Sequence, residues 1–173
     1  MNATLLLRLK AFMIDYVLIF AYLVVIVVPS GFLFPSIQEL FNGSVVVAQF
    51  TGLLLVTLPV SLYFIISDSV IGGQSFGKKK TGIQVVDKNL NALSLRSSIF
   101  RTVLKFLPWE LSHYLIFRLI HVGDGEVPFN YYLIGALIYA LIFTYILTGV
   151  FTKKKRSLYD ILANTVVVKI SSK

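Results

Sequence analysis

The chain contains no cysteine, which excludes disulfides, thiol redox chemistry and thiolate metal sites. It has only 2 histidines, and neither sits in a nucleophile–base–orienter pattern. We therefore expect no enzymatic activity, no cofactor and no bound metal. Acidic residues are scarce, with 8 Asp+Glu against 16 Lys+Arg and a net charge of +8. In a soluble chain that excess would point to nucleic acid. Here the basic residues flank apolar runs, so membrane topology accounts for them and no nucleic-acid partner is expected.

Charge of either sign is missing from long stretches. The chain is 57% hydrophobic with mean hydropathy +0.83, which excludes an ordinary soluble domain and indicates a polytopic membrane protein. The 14 Phe and 9 Tyr read as core and interface belts. There is no repeat or low-complexity segment, and one domain is expected over residues 1–173. The first apolar run lacks a small-residue cleavage site and reads as a retained anchor.

Three runs are apolar enough to cross a bilayer, about 11–28, 45–66 and 131–151. A fourth, 98–120, carries Arg101, Lys105, Glu110, His113 and Arg118 around Pro108. The basic residues decide the count. Arg8 and Lys10 precede the first run, Lys78, Lys79, Lys80, Lys88 and Arg96 lie between the second and third, and Lys153–Arg156, Lys169 and Lys173 follow the last. The intervening loops carry Glu39, Asp124 and Glu126 without Lys or Arg. Basic segments mark the cytoplasmic side, so both termini are expected there. The expected fold is an all-α membrane protein with four transmembrane helices, the polar third either crossing or re-entering. Pro59 should kink the second helix and free the Leu55 carbonyl, with Thr57 or Ser61 placed to help satisfy it. A small cytoplasmic hairpin is expected at 81–95, where TGIQVV meets an Asp87-Lys88-Asn89 turn and Ala92–Leu95 returns. In the tail, 152–173, Ser157–Ala163 reads as a short amphipathic piece and Thr165–Ile170 as a strand.

Asp15 lies inside the first run, and an ionisable group in a span calls for a partner or a function. Arg8 is on the same helix face at i, i+7. The pair reads either as part of a proton or cation pathway or as a structural ion pair. Asp68, Arg101 and Asp160 join it in an expected cytoplasmic cluster, with Asp160 either capping a short helix or pairing with Arg8, Lys10 or Arg101. Glu110 and His113, at i, i+3, share a face. They read as a mid-membrane proton relay or as water-exposed groups of a tilted helix, with Pro108 and Trp109 suggesting a broken helix or an interfacial turn. Gly72–Lys78 fits G-x-x-x-x-G-K but is not read as a phosphate loop, since a membrane helix precedes it and Lys79 follows the lysine. Its glycines read as a tight turn at the membrane surface. Lys78–Lys80 and Lys153–Arg156 are expected to meet anionic lipid headgroups, at roughly 1 kcal/mol per residue.

Three blocks together resemble the RDD family of bacterial membrane proteins. Arg8-Leu-Lys-Ala-Phe-Met-Ile-Asp15 is similar to the family's R-x-x-A-x-x-x-D opening. Gly72-Gly73-Gln74-Ser75-Phe76-Gly77-Lys78, with Gly82–Asp87 behind it, resembles G-G-Q-T-x-G-K…G-x-x-V-V-D. Ser157–Val167 is similar to the R-x-L-x-D-x-x-x-x-T-x-V ending. Ser75 stands where threonine is common, Asn164 where glycine is common, and Lys105–His113 is unusually polar. The resemblance implies a bacterial inner-membrane location and, from some members, sodium–proton antiport; other members sit beside unrelated membrane machinery. We therefore expect monovalent cation/proton transport, as a homo-oligomer or with other membrane subunits. The alternative is an accessory or assembly subunit of a larger complex.

Overall fold

The computed structural model describes residues 2–170, so Lys173 lies outside the described residues. Helix α1 spans Leu5–Phe32, capped by the Thr4 hydroxyl, which accepts from the Leu7 amide at 3.3 Å. It starts six residues before the apolar run and carries Arg8 and Lys10 into the helix. A short helix α2, Pro35–Asn42, fills the loop that follows; its Phe41 ring stacks on Phe117, a long-range contact with no local signal.

The second long rod is composite. It comprises α3 (Val45–Gly52), a π-helical segment (Leu53–Thr57) and α4 (Leu58–Asp68). Next come the short α5 (Phe76–Thr81), the strand β1 (Ile83–Asp87) and α6 (Leu95–Val122). The chain closes with α7 (Phe129–Phe151), α8 (Leu158–Leu162) and the strand β2 (Thr165–Lys169). Among the described residues, three helices are long and apolar enough to cross a membrane: Leu5–Ile26, Val45–Asp68 and Phe129–Phe151. At 28 residues, α6 is as long as α1, and it runs unbroken through Pro108 rather than turning there. It packs against α3, α4 and α7. The least apolar rod thus has the most protein around it, which is where polar side chains in a membrane domain are tolerated.

Two tyrosines from neighbouring rods resolve the prolines. Proline at position i cannot donate to the carbonyl of i−4. The carbonyl that Pro59 leaves free, Leu55, accepts from the Tyr22 hydroxyl of α1 at 2.7 Å. The carbonyl that Pro108 leaves free, Leu104, accepts from the Tyr145 hydroxyl of α7 at 2.5 Å. Neither Thr57 nor Ser61 serves Leu55. With no water in an apolar layer, each such bond ties two rods at a fixed height.

At the end of the bundle where both termini lie, a small cap forms. β1 and β2 pair antiparallel, with Ile83 opposite Lys169 and Asp87 opposite Thr165, and the Ala3 amide donates to the Val167 carbonyl at 2.9 Å. The hairpin expected at 81–95 is corrected. Ala92 makes a single bridge to Val86, and Ser94 then caps α6 through the Ser97 amide at 3.2 Å. The tail strand takes the pairing instead because its β-branched residues bury a face. Ile83, Val85 and Val167 close a core with Ala3, Ala11 and Leu93. Asp87 still forms the turn, accepting from the Asn89 and Asn91 amides at 2.8 and 2.9 Å.

Replacing Tyr22 or Tyr145 by Phe orphans a buried carbonyl. Each change should lower thermal stability in detergent by about 1–2 kcal/mol. The double variant should lose roughly the sum, because the two bonds share no partner.

Candidate functional site

Asp15 does not pair with Arg8. Its Oδ1 accepts from the Tyr63 hydroxyl at 2.8 Å and the Gly77 amide at 2.7 Å, and its Oδ2 accepts from the Ser75 hydroxyl at 2.6 Å. The i, i+7 spacing puts Arg8 and Asp15 on one face but about 10 Å apart along the axis, too far for contact. Asp15 instead caps α5 from another helix. Tyr63 completes the cap by accepting from the Phe76 amide at 2.9 Å. A carboxylate at a helix N-terminus meets amides and a favourable dipole. The approach is close enough that a Cβ on Gly77 would lie 1.9 Å from the Ala11 carbonyl oxygen, so only glycine fits.

Arg8 reaches across to Asp160, Nη1 to Oδ2 at 2.8 Å. Arg101 bridges two aspartates, with Nε 2.9 Å from Asp160 Oδ1 and Nη1 3.2 Å from Asp68 Oδ2. Lys78 closes on both oxygens of Asp68 at 2.8 and 3.0 Å, and donates to the Ser75 hydroxyl at 3.1 Å. The Thr165 hydroxyl donates to Asp160 at 3.1 Å. A continuous network therefore runs Arg8–Asp160–Arg101–Asp68–Lys78–Ser75–Asp15–Tyr63. Its carboxylates are buried: Asp15, Asp68 and Asp160 expose 1%, 1% and 0% of their surface. Buried charges survive only when paired or well hydrogen-bonded: Asp68 and Asp160 are ion-paired, and Asp15 is held by three neutral donors. Of the residues expected in the cytoplasmic cluster, Arg8, Asp15, Asp68, Arg101 and Asp160 all meet here, and Asp160 takes Arg8 and Arg101 rather than Lys10.

The glycine turn serves this network. Gly72 and Gly73 bring α4 back so that Gln74 donates to the Ile83 carbonyl at 2.8 Å. The lipid-headgroup contact expected of Lys78 alongside Lys79 and Lys80 is corrected: Lys78 turns inward, is buried and is committed to Asp68, because that buried carboxylate needs a cation. Gly82 ends α5 in the left-handed region at φ 65°. Ser75, Tyr63, Lys78 and Thr165 join the network without a signal in the charge pattern, although Ser75, Lys78 and Thr165 stand in the family-like blocks. Burial raises the Tyr159 hydroxyl above the usual tyrosine range, reinforced by Asp160 beside it and opposed by Arg101, whose guanidinium lies 5.2 Å from its ring.

A second group lies near the middle of α6. His113 Nδ1 is 3.8 Å from Glu110 Oε2 and 3.5 Å from the Thr57 hydroxyl. Thr57 ends the π-helical segment, a feature often found at functional sites. Glu110 Oε2 is buried with no hydrogen-bond partner. Further along, Arg118 donates to the Gln49 side chain at 2.8 Å. Among the described residues, no three or more His, Cys, Asp or Glu side chains gather as a metal site.

The chain matches the RDD family over residues 2–164. It belongs to the RDD family. No curated protein and no solved structure matches it. Membership gives the network its meaning, because the three motif blocks are the segments that converge: α1 supplies Arg8 and Asp15, the Gly72–Lys78 turn supplies Ser75, Gly77 and Lys78, and the ending supplies Asp160 and Thr165. The departures are chemically conservative. Ser75 keeps the hydroxyl that Asp15 needs. Asn164 adopts φ 53°, a left-handed conformation that asparagine tolerates better than most residues.

Gly77→Ala should displace α5 from α1 and sharply reduce the folded yield in size-exclusion chromatography. Asp160→Asn leaves Arg8 and Arg101 facing a neutral amide in a buried site and should destabilise the protein by about 3–5 kcal/mol, measured as unfolding in mild detergent.

Proposed function

We propose that this protein is a bacterial inner-membrane protein of four spans with both termini cytoplasmic, exchanging protons for a monovalent cation. The charge distribution supports the topology. The cap end holds Lys78–Lys80 and Lys153–Arg156, while Glu39, Asp124 and Glu126 belong to loops at the other end. In this reading α6 is the third of the four spans and crosses fully. A cysteine introduced by Asp124→Cys should react with a membrane-impermeant thiol reagent on intact cells; labelling only after disruption would overturn the four-span topology.

The observation that carries the transport reading is the buried, unpartnered Oε2 of Glu110 beside His113 and Thr57. Glu110 lies 15 residues into α6, about 22 Å along its axis, and a carboxylate at that depth is a functional hypothesis by default. It has an oxygen free to take a proton or a cation, and the neighbouring imidazole can pass a proton on. The network aspartates lack this property, since their oxygens are already engaged. Asp15, which the sequence puts forward first, reads as architecture.

One observation favours the accessory-subunit reading. The side chains of Glu110 and His113 are 29% and 24% exposed, and a helix from another subunit would shield them from lipid. An oligomer of this chain would do the same.

Proteoliposomes holding the purified protein should show an internal pH change on addition of sodium or potassium, abolished by Glu110→Gln with folding intact. Absence of flux from well-folded wild type would sink the transport reading and favour the accessory role, with co-purifying membrane proteins as the next measurement.

A further inference from the structure

A cavity of about 450 Å³ opens beside the network, between α1 and α7, with α6 behind it. Arg8 and Lys105 stand in its wall, and Leu5, Leu9, Phe12 and Ile146 form an apolar rim. Each rim residue is itself exposed on the bundle surface. α1 packs mainly on α5 and α2, and α7 on α6 and α8, so the two helices leave a lateral gap where lipid would lie.

The cations around this cavity outnumber the anions. Asp68 and Asp160 are paired with Lys78, Arg101 and Arg8 and Asp15 is held by neutral donors, so Arg8, Lys78, Arg101 and Lys105 together exceed the three carboxylates by one charge. Among the described residues, Lys105 has no hydrogen-bond partner. Its ammonium rests 3.7 Å from the Phe64 ring centroid and 5.2 Å from that of Phe106, a cation–π contact that supplies no acceptor. Arg8 spends only Nη1 on Asp160; its Nε and Nη2 are buried without a partner. Buried donors of this kind are costly, and native structures rarely leave them unmet. Network and cavity thus present one surplus positive charge and three unused donor groups, next to an apolar opening at the level of the bilayer.

We propose that this cavity binds one anionic phospholipid, its phosphodiester between Arg8 and Lys105 and its acyl chains leaving over Leu9, Phe12 and Ile146. Arginine and lysine together are suited to a tetrahedral oxyanion. The apolar rim is what distinguishes a lipid from a free phosphate, which would gain nothing from it. The acidic headgroup completes the charge balance of the network, so the bound lipid ties α1 and α7 together at the cap. This assignment does not depend on the transport reading.

The test is native mass spectrometry of the delipidated protein in detergent, titrated separately with phosphatidylglycerol, phosphatidylcholine and inorganic phosphate, beside thermal melts with the same additions. One phosphatidylglycerol should bind and raise the melting temperature, with phosphatidylcholine at least about fivefold weaker, and inorganic phosphate should do neither. Lys105→Met should weaken phosphatidylglycerol about fivefold or more while leaving phosphatidylcholine unchanged. Ile146→Trp, which narrows the mouth and keeps every cation, should reduce binding of both lipids, and it serves as the probe if the lysine variant does not fold. Equal binding of both lipids, or binding that neither variant alters, would overturn the site. Inorganic phosphate binding as tightly as phosphatidylglycerol would overturn the lipid in favour of a soluble anion.

Discussion

The bridge that Arg101 makes between Asp68 and Asp160 holds the architecture together. Each of those carboxylates is buried, and a buried carboxylate without a cation would cost several kcal/mol. One guanidinium on α6 answers both, through Nε to the tail and Nη1 to the end of α4. That single side chain sets the heights of α4, α6 and α8 relative to one another. Arg8 and Lys78 then fill the outer positions of the same two aspartates and draw in α1 and α5. The cap sheet, which pairs a strand from mid-chain with one from the tail, forms on the platform these ion pairs create.

A second constraint is the absence of water from an apolar layer. It makes proline a structural opportunity as well as a defect. The carbonyls freed by Pro59 and Pro108 become acceptors for hydroxyls on other helices, and both donors are tyrosines. Hydrophobic attraction between helices is weak when lipid is as apolar as leucine, so such directed bonds, with the ion network at one end, specify how the rods pack. The π-helical turn ahead of Pro59 has a further effect, since it brings Thr57 to His113.

Polar groups in this chain fall into three conditions. The carboxylates of the cap network have both oxygens engaged, and their removal should act on folding. Glu110 and His113 are near one another but not fully engaged, which is the state that exchange chemistry requires. Lys105 stands at an opening without a protein acceptor, and Arg8 in the same wall keeps donors that no acceptor meets, which is the state that a ligand fills. The distinction rests on who meets whom, and it reverses the emphasis that Asp15 receives from its position in the first apolar run.

The amino-acid sequence by itself determined the membrane class, the apolar rods, the family and the side-chain chemistry at each motif. These depend on local composition, helical spacing and residue order, which need no knowledge of the fold. It also indicated that Arg8, Asp15, Asp68, Arg101 and Asp160 belong together, because all fall at ends of rods that the charge pattern places on one side. The pairing was decided only by the tertiary structure. Arg8 and Asp160 lie 152 residues apart, and no periodicity says that Arg8 bypasses Asp15 to reach Asp160. The same holds for β2 displacing Ala92–Leu95 as the partner of β1, for α2 gaining its place from Phe117, and for Tyr22 and Tyr145 finding the carbonyls that proline leaves free. A buried group chooses among all acceptors that packing brings within about 3 Å, and that choice exists only once the helices are assembled.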